Sequence, residues 1–416
     1  MKTIILAGGY GTRLQPLTMR TPKSILPLGD SNTIMKILAL IDTVSADEII
    51  LSLNRNQEKV KEYLDSVGYK DKIKYVFEES EDDLDKLGAI GALLYVVKTF
   101  GADDYIVLGA DNYFKGLNLK DMVSQHNKTK AEVTIAHYEL DDITKVPSFG
   151  VGVINEDGKI VEFQEKPSVE KALSTLVSTF LYIINKKFLE TELPKYVDDE
   201  IKAGRKPDNM GNLWEFFCKK LDIYAYTFKG FWGDVGKPVG YIDTNRRSLD
   251  DIKKDVDKTS KISETAKITG KVILSKGCEV AEDVVIIGPC FIGENVKIER
   301  GSIIGPYTTI LHDSKIGPYN IINGSIIFEN VTTKSDVKVN RAVVDGSTSI
   351  SKNTKIEEYA LVGFGCELNE DSQILYESKI WPFLIIERDS VINSKIFYHD
   401  NLKGWKATLN NSKYWQ

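Results

Sequence analysis

At 416 residues the chain is longer than one ordinary hydrophobic core organises, so two domains are expected. Its 54 Lys and Arg against 60 Asp and Glu leave a net charge of −6, and no basic run is available to neutralise a phosphate backbone, so a nucleic-acid partner is not expected. No apolar run approaches the length of a membrane span, and residue 1 leads into a strand without a charged leader, which points to a soluble cytoplasmic protein with no membrane partner.

The four cysteines, Cys218, Cys278, Cys290 and Cys366, form no C-x-x-C pair, so neither zinc nor a disulfide framework is suggested. The first apolar run, Thr3-Ile4-Ile5-Leu6, is a buried-strand candidate that opens into LAGGYGTRLQPLTMRTPK, Leu6 to Lys23. Gly8, Gly9 and Gly11 permit close backbone approach, so successive N–H groups can face one anion. Arg13 adds a planar donor fork suited to phosphate oxygens, and Lys23 adds a point charge beyond Pro22. The loop is neither a Walker motif, since Gly11 is followed by Thr12-Arg13, nor a dinucleotide fingerprint, since Leu14 stands where a third glycine is needed.

Up to about residue 130, short apolar runs at Lys2–Leu6, Glu48–Leu53, Ile73–Phe77 and Tyr105–Leu108 alternate with helical patterns at Thr33–Val44, Gln57–Val67 and Ala89–Phe100. The alternation predicts an α/β domain, a mostly parallel sheet with helices on both faces and a ligand site at the strands' carboxyl ends. The chain then turns β-rich, with strands expected at Val133–His137, Gly150–Ile154, Lys159–Phe163 and Thr179–Asn185, and helices at Asn212–Lys220 and Val239–Leu249. Residues 1–250 are read as one domain and the Asp- and Lys-rich stretch 251–261 as a linker.

From Ile262 onward apolar residues recur every six positions, through Ile268, Leu274, Val280 and so on to Phe328, and again from Val344 to Ile392. Six steps of about 100° scatter residues around a helix, so this period suits short strands joined by turns. The position two before each apolar residue is usually small, as at Cys278, Cys290, Ser302, Ser314 and Cys366, and shares its inward face. Glycine often follows the apolar residue, as in Ile292-Gly293 and Ile316-Gly317, where a turn is expected. The slip between Phe328 and Val344 predicts an irregular coil or bulged loop near Lys334 and Asp336. The pattern is similar to the hexapeptide repeat of left-handed parallel β-helices, which implies about seven coils over 262–397. The tail 398–416, with Trp405, Tyr414 and Trp415, is read as a cap on the open end, and open ends predict a homo-oligomer.

The loop Leu6–Lys23 closely resembles the L-A-G-G-x-G-T-R-L-x-P-L-T…Pro-Lys signature of sugar-1-phosphate nucleotidyltransferases, whose catalytic domain is Rossmann-like with a mixed sheet. Three further stretches agree with that family: Leu87-Gly88-Ala89-Ile90-Gly91-Ala92-Leu93, Phe163-Gln164-Glu165-Lys166-Pro167, and Trp232-Gly233-Asp234-Val235-Gly236-Lys237-Pro238. The resemblance implies nucleotide binding by Leu6, Ala7, Gly8, Gly9, Gly11, Thr12 and Gly88, with Arg13 and Lys23 catalytic. It also implies contacts from Glu165 to the sugar and from Lys166 to its phosphate, and Mg²⁺ ligation by Asp111 and Asp234, with Asp111 near the nucleotide as well. Where relatives read N-A-G-I-Y, this chain has Ser178-Thr179-Phe180-Leu181-Tyr182, which leaves the sugar open, and Ala89-Ile90 in place of Thr-Ala leaves the base open.

The reaction so implied joins a nucleoside triphosphate to a sugar 1-phosphate and releases pyrophosphate, with a lean towards mannose 1-phosphate and GTP over glucose 1-phosphate with dTTP or UTP. Two other readings compete. Left-handed β-helices also build acetyltransferases, for which His312 is the candidate, although its sequence context suits a solvated turn. A non-catalytic regulatory subunit would be expected to have lost Arg13, Lys23, Asp111 or Asp234, and all four are present.

Overall fold

Lys2–Leu6 forms the strand that its apolar run predicts, lying between two parallel neighbours, Ile49–Asn54 and Tyr105–Gly109. The computed structural model describes residues 1–80 and 86–393. Two units are distinguished, Met1–Leu14 with Thr21–Arg247, and Gln15–Arg20 with the chain from Ser248.

In the first unit, alternate residues of the first strand feed opposite sides of the sheet. Ile4 joins Ile50, Ile90 and Leu93 in one core, and Ile5 joins Ile34, Leu38 and Leu51 in the other. A strand covered on both faces reads as a continuous apolar run, which is why these were found from sequence. Ile73–Glu78 extends the parallel side. Beyond Tyr105–Gly109 the direction reverses: Leu176–Ile184 runs antiparallel to it and also pairs with Val133–Glu139 and Gly150–Ile154, completing a mixed nine-stranded sheet.

The helices Thr33–Asp42, Glu58–Leu64 and Gly88–Phe100 fall where the periodicity predicts, each with slightly different ends. Asn32 caps the first, its Oδ1 accepting from Met35 N at 3.1 Å. Leu119–Thr129 and Lys186–Lys202 were not anticipated. Polar residues dilute the first pattern, and Pro194 lies inside the second.

His137 sits fully buried in this sheet, its Nδ1 3.0 Å from the Ile135 carbonyl and its ring edge-on to Phe163. Burial pushes its pKa down to about 4, only partly opposed by the hydrogen bond to Ile135. The unfolded chain therefore takes up a proton near pH 6.5 that the folded state refuses until about pH 4. Stability from this group is complete above pH 6.5 and lost as pH falls towards 4, by up to about 3 kcal/mol. Urea unfolding of wild type and His137→Gln at pH 7 and pH 4.5 should show the larger loss in wild type, and equal losses would contradict this.

In the second unit, three parallel sheets of eight strands each stack as a left-handed β-helix. Successive coils pair 18 residues apart, as in Ile292↔Ile310 and Ile298↔Ile316. The inward column of Leu274, Ile292, Ile310, Ile316 and their counterparts is almost wholly buried, with Cys278, Cys290 and Cys366 beside it. All four cysteines are free and buried, and burial pushes Cys290 and Cys366 up to about 12, so packing is their role here. Ile316→Ala, at a fully buried site stacked on Ile298, should cost about 2–5 kcal/mol, read as a lower denaturant midpoint.

Three expectations about this unit change. The stretch 251–261, read as a linker, already carries the first strand of the stacks, Asp255–Val256, paired to Ile273–Leu274. Each sheet therefore has eight strands, one more than the seven coils expected.

At the slip the coil is irregular, the first of the two expected forms, and no loop bulges out. Ile327, not Phe328, continues the inward column, with pairs Ile310↔Ile327, Ile322↔Val339 and Ile327↔Val344 spaced by 17 instead of 18. The steps Ile322–Ile327 and Val339–Val344 are each one residue short, so the phase is lost by two deletions. Thr333 takes the inward place between them, its hydroxyl receiving Gly317 N at 2.9 Å and the side-chain amide of Asn320.

The turns are also displaced. Positive φ falls three residues after the apolar position, at Asn295, Tyr319 and Gly365, rather than at the glycine that follows it. That glycine answers close approach between coils: a Cβ on Gly293 would lie 2.7 Å from His312 N, and one on Gly317 2.6 Å from Lys334 O. Gly305, with φ +93°, is an exception.

Arg20, unremarked in the sequence, belongs to this second unit, where it pairs with Glu329 at 2.5 Å and Asp345 at 2.7 Å and lies over the Phe364 ring. The expected cap at 398–416 lies outside the described residues. Among the described residues no helix is long and apolar enough to cross a membrane.

Candidate functional site

The carboxyl ends of Lys2–Leu6 and Tyr105–Gly109 open into a cleft of about 950 Å³ within the first unit. Leu6, Ala7, Gly8, Gly9, Arg13, Lys23, Gly88, Asp111, Glu165, Lys166 and Asp234 all line it. Gly11 and Thr12 do not. Gly11 has φ +65° and its carbonyl accepts from Leu14 N at 2.9 Å, so it reverses the chain into the short helical turn Thr12–Leu14.

The peptides of Gly8 and Gly9 are oriented by two residues that the sequence reading missed. Asn54 Nδ2 donates to Gly8 O at 3.1 Å, and Gln57 Nε2 donates to Gly9 O at 2.8 Å. Asn54 and Gln57 are themselves tied by a reciprocal capping box on the turn Arg55–Gln57. The pattern Asn-x-x-Gln after a buried strand was the available signal.

A two-stranded ribbon brings the two acidic positions together. Asn112–Lys115 runs antiparallel to Phe231–Asp234, with Asn112 opposite Asp234, and Val235 N donates to Asp111 O at 2.9 Å. The Trp232 Nε1–H donates to Asn112 Oδ1 at 2.8 Å, and Asn112 Nδ2 in turn reaches Asp111 Oδ1 at 3.0 Å. Lys23 forms an ion pair with Asp111.

Burial first, and the charge of Asp111 second, push Asp234 up to about 6, against the pull of Lys23 and Arg13. Burial also opposes the charge on Lys23, but Asp111 and Asp234 outweigh it and hold the ammonium above its usual pKa.

Asp234 Oδ1 is buried with no hydrogen-bond partner. An orphaned carboxylate oxygen beside a second carboxylate fits a hard divalent cation. Among the described residues there is no cluster of three or more His, Cys, Asp or Glu able to hold a metal ion.

At one side of the cleft Gly88 starts its helix with φ +74°, and a Cβ there would lie 2.7 Å from Asp208 Cα. Any side chain would push the helix start away from Asp208, whose carbonyl accepts from Ala89 N at 2.9 Å.

At another side, Glu165 Oε1 accepts from Asn209 Nδ2 at 2.6 Å and lies 3.0 Å from Lys166 Nζ. Lys166 is half exposed, so its ammonium is available to a ligand anion. Lys86, Lys145, Lys237 and Arg247 also line the cleft and add positive charge that the sequence reading did not assign.

The family model described as nucleotidyl transferase matches residues 2–251, and the one described as GMPPB C-terminal domain matches residues 286–397. A UTP–glucose-1-phosphate uridylyltransferase of Synechocystis sp. is 32% identical over 249 residues, covering 58% of this chain and 61% of that protein. The chain thus spans less than two thirds of the length of that relative. A mannose-1-phosphate guanylyltransferase 1 of Arabidopsis thaliana is 26% identical, covering 68% and 73%. A bifunctional protein GlmU of Methanococcus maripaludis is 30% identical over 356 residues, covering 85% and 80%. A Bacillus anthracis structure assigned by name as a glucose-1-phosphate thymidylyltransferase covers 61% of this chain and 97% of its own at TM-score 0.52 and 24% identity, a likeness of fold. With a single model matching residues 2–251, more than half of its length, the chain belongs to the nucleotidyl transferase family.

Proposed function

We propose that the protein transfers a nucleotidyl group from a nucleoside triphosphate to a sugar 1-phosphate, releasing pyrophosphate and forming a nucleoside diphosphate sugar. The observation that carries this reading is the meeting, in one cleft, of the Gly8–Gly9 peptides, the Lys23–Asp111 ion pair and the orphaned Asp234 oxygen.

The attacking group is a phosphate oxygen of the sugar 1-phosphate, whose second pKa of about 6 leaves it mostly dianionic at neutral pH. It needs no general base. The obstacle is the approach of one anion to another, so the protein's work is positioning and charge neutralisation.

The Gly8 and Gly9 amides and Arg13 hold the triphosphate, and Lys23 stabilises charge that builds on the α-phosphate. Lys166 holds the acceptor phosphate, and Glu165, steadied by Asn209, accepts from sugar hydroxyls. Asp111 and Asp234 would hold Mg²⁺, which when bound draws charge from phosphate oxygens. Mannose 1-phosphate with GTP is the preferred pair, supported by the GMPPB-type match to the β-helix and the Arabidopsis relative. Glucose 1-phosphate with UTP or dTTP is the alternative, supported by the Synechocystis relative.

A second activity in the β-helix is the reading that the relative named a bifunctional protein favours, and His312 is its candidate. His312 is exposed and its Nδ1 lies 2.8 Å from Asp313, the arrangement of a solvated turn residue.

A panel of the four NTPs and dTTP against mannose, glucose and N-acetylglucosamine 1-phosphates, read by pyrophosphate release with Mg²⁺, tests the reading. Turnover should be greatest with GTP and mannose 1-phosphate. A chain inert with every pair would refute the transfer reading itself.

A further inference from the structure

Leu176–Ile184 is irregular at the point where it passes the cleft. Ser178 pairs with His137 and Tyr182 with Ile135, so the three residues Thr179, Phe180 and Leu181 stand opposite Ala136 alone. Thr179 plugs the gap from inside, its hydroxyl donating to Ala136 O at 3.0 Å. Phe180 is left with φ +56°, a left-handed conformation that a bulky L residue adopts only when its surroundings hold it there.

Its ring is directed into the cleft. Phe180 is partly buried, lines the cavity together with Ser178, Tyr182, Glu165 and Asn209, and packs edge-on to Tyr182 with centroids 5.4 Å apart. The opposing strand makes room for it. A Cβ on Gly109 would lie 2.8 Å from Phe180 Cδ1 and 2.9 Å from Asp111 Oδ1, so ring and carboxylate meet over the same glycine. A strained backbone that presents an aromatic ring to a cavity signals a constraint from function.

We propose that Phe180 is a specificity-determining residue, an apolar wall of the acceptor subsite that receives the C–H face of an unsubstituted hexose 1-phosphate and leaves no room for an acylamino group. This rests on the nucleotidyl-transfer reading above. Carbohydrate rings carry apolar C–H faces, and a pocket that sets an aromatic wall against a few polar clamps fixes the ring's orientation. Here Glu165 with Asn209 supplies the clamp and Phe180 with Tyr182 the wall.

The test compares wild type, Phe180→Gly and Phe180→Leu in kcat/KM for a hexose 1-phosphate and the corresponding N-acetylhexosamine 1-phosphate with the preferred NTP. Glycine suits φ +56° and opens the space, so Phe180→Gly should fold, keep its NTP KM within about twofold, and lose at least about tenfold of the hexose preference. Phe180→Leu, which keeps bulk but not the ring, should retain more of the hexose preference than Phe180→Gly, and an equal loss in both folded variants would contradict the exclusion of the acylamino group by bulk. Thermal unfolding of each variant separates misfolding from altered selectivity. A selectivity ratio in folded Phe180→Gly within twofold of wild type would overturn the proposal. Absence of pyrophosphate from wild type with every substrate pair would instead remove the transfer reading, and this inference with it.

Discussion

Asp111→Asn should lower kcat by about 100-fold or more, the scale of losing one electrostatic contact to a transition state. The change is small in shape but not in charge. Asp111 lies at the strand end next to Gly109, its carbonyl receives Val235 N, and its carboxylate pairs with Lys23. The amide keeps the backbone bond and fills the same space, so the ribbon that carries Asp234 should stay in place. What is lost is a negative oxygen able to hold a divalent cation and to balance Lys23. The loss should appear in kcat, while the KM for the triphosphate changes by a few-fold, because Arg13 and the glycine amides remain. Steady-state pyrophosphate release checks this, and near-wild-type turnover would remove Asp111 from the reacting centre.

Lys23→Met should cost about 100- to 1000-fold in kcat for the complementary reason. Lys23 is nearly buried and stands against two carboxylates, whose charge outweighs the effect of burial on it. Removing the ammonium leaves Asp111 and Asp234 facing each other without a shared cation, and on the proposed reading it removes the positive charge beside the scissile phosphate. The variant should also melt at lower temperature in chelator than wild type and regain part of the difference in Mg²⁺. Unchanged turnover would mean that the ion pair is structural only.

The two halves of the chain were legible for different physical reasons. In the β-helix every coil repeats one packing problem, so Ile292, Ile310 and Ile316 declare their inward positions by period alone. The same regularity hides the two shortened steps, because a single missing residue shifts the count without changing composition: the six-residue period points to Phe328, whereas Ile327 holds the inward place. Glycines were misread as turns because sequence cannot distinguish a glycine needed for φ from one needed for closeness to the next coil, as at Gly293.

At the site, residues within one contiguous motif were readable and residues acting across the fold were not. Arg13, Lys23 and Gly8 follow from the loop itself. Asn54 and Gln57, which orient that loop, come from the neighbouring strand's end, and Asn209, which holds Glu165, lies 44 positions away. Gly11 and Thr12 fail to line the cleft because the chain reverses at Gly11 before reaching Arg13. The altered stretch Ser178–Tyr182 was noticed as a departure, but only the bulge shows that Phe180 turns its ring into the cavity.

Single-turnover pyrophosphate release from an NTP, measured with and without a sugar 1-phosphate, bears most directly on the claim that the acceptor phosphate is itself the nucleophile. One pyrophosphate should appear for each nucleoside diphosphate sugar formed, and only when the sugar 1-phosphate is present. A stoichiometric burst of pyrophosphate from the NTP alone, leaving the nucleotide attached to the protein, would contradict it.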